Sequence, residues 1–167
     1  MTITEQFICG KHTADDCEDG IVITNDFAAV IDGSTSKTPT RLDPSMKNGR
    51  FAMLLISEYI KQMPANYTMY DFCRGITLRI AEEYNKRSIA ERMAEHPEER
   101  LTASVIVYSN CRKEGWKCIS ATEGRLMRYR ALFSPKMAIA LMAPKWTGVS
   151  VIPRLTQLCV TTEMRNT

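Results

Sequence analysis

The sequence predicts an α+β fold in which antiparallel β-sheets are flanked by α-helices. Three observations carry that prediction. Residues 21–24 and 27–31 are short, β-branched apolar runs separated by Asn25-Asp26. Two longer stretches, 48–63 and 68–84, repeat apolar residues every four positions. Strand character then returns at Thr102–Ser109.

Taken in order, residues 2–9 supply a first strand, with Phe7 and Cys9 alternating against polar neighbours. The Asn25-Asp26 link accepts positive φ and predicts a tight hairpin. In Asn48–Met63 the residues Phe51, Leu55, Tyr59 and Met63 recur on one face beside Ala52, Ile56 and Ile60. Pro64 stops that helix because it lacks an amide hydrogen and fixes φ. Thr68 followed by Asp71 reads as an N-cap, and Phe72, Ile76, Ile80 and Tyr84 form the buried stripe of the second helix. That helix should decay through Glu91–Arg100, where Pro97 breaks it. After the strand at 102–109, the polar loop Asn110–Gly115 leads to Trp116–Ser120, which completes a second hairpin. Further on, Arg125–Phe133 is a weaker strand candidate and Met137–Ala143 is apolar without a clear period. Pro135, Pro144 and Pro153 interrupt this last region.

The chain has 167 residues, enough to bury a core without a metal or disulfide staple. Its net charge of +3 is unevenly distributed. Residues 1–117 hold 15 Lys/Arg and 17 Asp/Glu, whereas residues 118–167 hold 7 and 2. All seven aspartates lie at or before Asp71. The chain therefore divides into an acidic part, 1–117, and a basic tail, 118–167. No apolar run reaches the ~18–20 residues needed to span a bilayer, and the first residues lack a basic, then apolar, leader pattern. A cytoplasmic location without a membrane partner is expected. The six cysteines include no C-x-x-C pair and read as reduced, mostly buried thiols. His12 and His96 read as isolated surface residues. Arg125, Arg128 and Arg130 are too few, and too sparsely interleaved with aromatic residues, to suggest nucleic acid.

Two acidic motifs flank the first hairpin. Glu18-Asp19 precedes the run 21–24, and Asp32-Gly33 closes the run 27–31. A hairpin returns both ends to the same side of its sheet. Carboxylates gathered there, with a backbone carbonyl freed by glycine, suit a hard divalent cation. The alternative is structural: Asp-Gly is a common turn, and acids before a strand are commonly solvated.

From these motifs onward, residues 5–117 resemble the metal-dependent serine/threonine protein phosphatases of type 2C, the PPM family. The parallels are Cys17-Glu18-Asp19, the strand ending Val30-Ile31-Asp32-Gly33-Ser34, two helices at Gly49–Met63 and Thr68–Met93, and the Thr-Ala strand at Leu101–Val105. The resemblance implies an αββα sandwich, here incomplete, and hydrolysis of phosphoserine or phosphothreonine by a metal-bound water. It implies that Asp32 bridges two Mg²⁺ or Mn²⁺ ions and that Asp19 completes one coordination sphere. Asp32 and Asp19 are then the catalytic residues. Gly33 would offer its carbonyl, Glu18 would act through bound water, and a phosphoprotein would be the substrate. Such paired ions lower the pKa of a shared water and neutralise the phosphate.

Three departures from the family pattern weaken such a site. No arginine precedes Glu18-Asp19, the first being Arg41. Ile119-Ser120-Ala121-Thr122 stands where the family has Gly-Asp, and the later aspartates of the family have no counterpart. The result is an impaired or inactive phosphatase. Residues 118–167 read either as a divergent C-terminus or as an out-of-frame tail. Cys118–Thr122 can be encoded TGC ATA TCG GCG ACC, which from its third base reads His-Ile-Gly-Asp. Two other functions stay open. One is a non-catalytic phosphatase-like binding domain. The other is a fragment of an actin-like kinase, because Ile31–Lys37 also resembles that family's first phosphate loop.

Overall fold

The computed structural model describes residues 1–8, 13, 16–34 and 38–111, and the backbone alone of 114–119, 126–127, 139–140 and 157–161. The architecture is α+β with antiparallel sheets, as the sequence predicts. Strand β1 (Thr2–Phe7) is followed by the hairpin β2 (Asp19–Ile23) and β3 (Phe27–Gly33). Helices α1 (Asn48–Lys61), α2 (Met69–Lys86) and α3 (Ala90–Glu95) come next, then a 3₁₀ turn at Pro97–Glu99. Strands β4 (Ala103–Ser109), β5 (Glu114–Ile119), β6 (Leu126–Met127), β7 (Ile139–Ala140) and β8 (Gln157–Thr161) complete the order. One sheet runs β2-β3-β4-β5-β6 and the other β1-β8-β7. Of the expected strand Arg125–Phe133 and the apolar stretch Met137–Ala143, all but the short β6 and β7 lie outside the described residues.

The helices cover one face of the five-stranded sheet. Alternation along β2, β3 and β4 sends Val22, Phe27, Ala29, Ile31, Val105 and Val107 to that face. There they meet Phe51, Leu55, Ile56 and Ile60 of α1 and Phe72, Ile76, Ile80 and Tyr84 of α2. These are the residues the four-residue periodicity singles out, and each large one contributes about 1.5–3 kcal/mol by leaving water. The opposite face carries Ala28, Val30 and Tyr108, packed against Met1 and Ile3 at the β1 end of the chain. Phe7, at the end of β1, is 52% exposed, so the inward alternation expected there stops before it. A cavity of about 20 Å³ between α1, α2 and β4 is walled only by apolar side chains such as Ile56, Phe72 and Val105. It has room for about one water and no polar partner to hold it.

Three local readings are refined by tertiary contacts. The Asn25-Asp26 turn forms, but neither residue has positive φ. Instead the Thr24 hydroxyl accepts from the amides of Asp26 (3.2 Å) and Phe27 (2.9 Å), which closes the turn without glycine-like geometry. Thr68 and Asp71 form the complete capping box of α2. The expected single helix to Met93 ends instead at Lys86. Ser88 adopts φ 54°, its amide donates to Asn85 O (3.0 Å), and the Ile89 amide donates to Tyr84 O (3.0 Å). That is a Schellman ending with serine where glycine is usual. Ile89 then joins the core, which repays the break before α3 begins.

The segment before α1 is held by side chains. The buried Asn48 amide accepts from Leu42 N and donates to Thr40 O, both at 2.9 Å. Arg87 reaches Leu42 O (3.3 Å) while its guanidinium lies 4.8 Å over the Phe51 ring. Among the described cysteines Cys17 is buried, Cys73 half-buried and Cys111 exposed in the turn after β4. His96 is exposed beside Glu98, as read; His12 lies outside the described residues. Among the described residues no helix is long and apolar enough to cross a membrane.

Candidate metal centre

Both strands of the first hairpin extend further than their apolar runs. Asp19 is the first residue of β2, and Asp32 is followed by Gly33 at the end of β3. The acids therefore lie inside the sheet rather than flanking it. Asp19 and Asp32 are direct register partners in the antiparallel pair. Such partners share a face, with Cβ atoms about 4.5–5.5 Å apart. The next strand continues the row, because Asp32 pairs with Ser104 of β4. Asp19, Asp32 and Ser104 are all half-exposed, on the face away from the helices. Two carboxylates and a hydroxyl in a row are hard oxygen donors, the chemistry a divalent cation prefers. Like charges directly opposite in a sheet repel, and a bound cation relieves that cost.

Glu18 is not part of this row. It is 5% exposed, and its Oε1 is shut off from solvent. A Cβ built on Gly49 would stand 2.5 Å from that oxygen, so the carboxylate lies against the first turn of α1. Neighbouring acids thus diverge: Asp19 faces away from the helices and Glu18 faces them. Gly33 is equally engaged in packing. Its amide donates to Glu18 O (2.9 Å), and a Cβ there would fall 2.1 Å from Gly49 O. The structure brings Asp19 and Asp32 together, sets Gly33 beside them along the chain, and directs Glu18 to the helix side. Among the described residues, no group of three or more His, Cys, Asp and Glu side chains is arranged to hold a metal ion. The acid pair fits part of a cation site, with Ser104 as a neutral neighbour.

The segment carrying Asp19 is strapped to α1. Arg50 Nη1 donates to Cys17 O (2.9 Å), Lys47 pairs with Asp16 (3.2 Å), and the Cys17 thiol donates to Asp19 O (3.5 Å). The Lys47–Asp16 pair is too exposed to contribute more than a small stabilisation. Sequence reading missed Ser104 and Arg50. Ser104 needed the β3–β4 register, which follows once Ala103 is set opposite Gly33. Arg50 lies far from residue 17 in sequence, and only the docking of α1 brings its guanidinium to that carbonyl.

A second charged cluster is structural. Glu83, 8% exposed at its side chain, accepts from Arg79, Arg87 and Lys86, the last at 3.0 Å. The hydrogen bond from Arg79 is the largest cause that holds its carboxyl at about 2, with burial opposing and Arg87 and Lys86 adding to the effect. All four groups lie on α2 or its C-cap, and they pin the end of that helix rather than frame a site. Comparisons of the chain with protein-family models, with curated proteins and with solved structures give no match.

Proposed function

We propose that the chain is a type 2C phosphatase-like protein, with residues 1–117 as the phosphatase-like part and Asp19 and Asp32 as its acid pair. The observation that carries this reading is the register Asp19↔Asp32 on one face of the sheet. The element order supports it: hairpin, two long helices over the sheet, then the Ala103 strand pairing with the Asp32 strand. In this reading the two sheets and their helices belong to an incomplete αββα sandwich, and residues 118–167 are a divergent or out-of-frame tail.

Asp19 and Asp32 would hold Mg²⁺ or Mn²⁺, with Arg50 bracing the segment before Asp19 through Cys17 O. When bound, such ions supply activation of water and neutralise charge on a phosphoserine or phosphothreonine ester. The chain's own residues supply the carboxylates, their spacing and the rigid backing of α1. No aspartate follows Asp71, so the carboxylates that would complete the coordination are missing and hydrolysis is impaired or lost.

The test measures Mn²⁺ binding calorimetrically and p-nitrophenyl phosphate hydrolysis in Mn²⁺. Weak binding abolished by Asp32→Ala, with very slow or no turnover, is the expected result. Turnover that Asp32→Ala leaves unchanged, or the absence of any Mn²⁺ binding, overturns the proposal.

A further inference from the structure

We infer that Glu18 is a positioning residue, which locks the first turn of α1 onto the Asp32-Gly33 end of β3 and thereby sets the spacing of the acid pair. The inference rests on the reading of Asp19 and Asp32 as that pair, and it gives Glu18 a different task from acting through bound water.

The argument starts from the strand geometry. Side chains alternate across a sheet, so Asp19 and its predecessor leave the backbone in opposite directions. Asp19 goes to the face that carries Asp32, whereas the Glu18 carboxylate goes to the helices, where Gly49 closes over it. That carboxylate is nine-tenths buried and beside the second residue of α1. The helix supplies no negative charge of its own at this end: its first turn has no acid, and the N-cap Lys47 makes no side-chain cap. A carboxylate beside a helix N-terminus is favourable because the first amides carry a net positive field.

Glu18 also holds the other partner. Its carbonyl accepts from Gly33 N at 2.9 Å, and a Cβ on Gly33 would lie 2.8 Å from that same carbonyl. Glu18 therefore joins β3 through its backbone and α1 through its side chain. Asp19 follows it directly and Asp32 directly precedes Gly33, so any displacement of Glu18 moves the two acids relative to each other. Arg50, at Cys17 O, braces the same stretch from the next position of α1.

The test uses the full chain with Glu18→Gln and Glu18→Ala, metal-free and with Mn²⁺ alone. Glu18→Ala should lower the metal-free Tm by about 2–6 °C and speed amide exchange in the first turn of α1. Glu18→Gln keeps the shape and should hold Mn²⁺ affinity within about threefold of wild type, while Glu18→Ala weakens it by about tenfold or more. If Glu18→Ala does not fold, the inference is supported provided that Glu18→Gln folds with a smaller loss of Tm. An unchanged metal-free Tm and exchange pattern in Glu18→Ala overturns it. So does Glu18→Gln binding Mn²⁺ as poorly as Glu18→Ala at wild-type Tm, the signature of a ligand acting through water. Failure of the wild-type chain to bind Mn²⁺ sinks the acid-pair reading, whereas the metal-free Tm and exchange still decide whether Glu18 anchors α1.

Discussion

Gly33 of β3 and Gly49 of α1 meet backbone to backbone: a Cβ on Gly33 would stand 2.1 Å from the Gly49 carbonyl oxygen. Helix and strand approach this closely because neither carries a side chain at the crossing. The contact fixes the end of β3, where Asp32 sits, against the start of α1. Neither glycine has a left-handed φ, so the demand is for space rather than backbone freedom.

Gly33→Ala should therefore destabilise the fold by about 1–3 kcal/mol, the usual cost of overpacking a tight contact. Urea unfolding of the metal-free chain measures this. The same substitution at Gly20 should cost less, because the nearest atoms a Cβ there would meet belong to the flexible Met53 side chain and the Ser57 hydroxyl, whereas at Gly33 they are backbone atoms.

Ser104→Asp would place a third carboxylate opposite Asp32 in the row that begins at Asp19. Mn²⁺ affinity should rise by about tenfold, because carboxylate count tunes cation affinity. The metal-free protein should lose stability through the added repulsion. Calorimetric titration and thermal melts read the two effects, and a variant that binds Mn²⁺ no better than wild type argues against the register-based site.

Ser88→Gly should stabilise the chain by about 1 kcal/mol, because Ser88 holds φ 54° in a Schellman ending that glycine adopts without a Cβ clash. The Tm of the purified variant checks this. A fall in Tm would mean that the lost constraint on the unfolded chain outweighs the relieved strain.

Glu83 titrates at about 2 in the folded chain, against an ordinary value of 4.5. Between those values the unfolded chain binds more protons than the folded one, so stability rises with pH there. The contribution is whole above pH 4.5 and is lost as pH falls toward 2. In acid denaturation, Glu83→Gln should flatten this part of the profile. At pH 7 it should cost about 2 kcal/mol through the lost charged hydrogen bonds to Arg79, Arg87 and Lys86.

Much of the fold is legible in the sequence because its signals are local. The four-residue recurrence from Phe51 and from Phe72 identifies two helices and their buried faces, and Thr68 with Asp71 marks where the second begins. The helix break at Ser88 is less legible, since serine is not the usual residue in that conformation and the burial of Ile89 decides it. At the site, the sequence shows two acidic motifs on one hairpin but cannot say which acids face one another.

The sequence by itself determined the helices, the hairpin, the capping box and the separation of an acidic first part from a basic tail lacking aspartate. Only the tertiary structure decided that Asp32 pairs with Asp19 on one side and Ser104 on the other, and that Glu18 turns away to α1. The physical reason is that periodicity and capping arise between residues a few positions apart. Strand register and the Gly33–Gly49 crossing instead depend on which distant segments pack together.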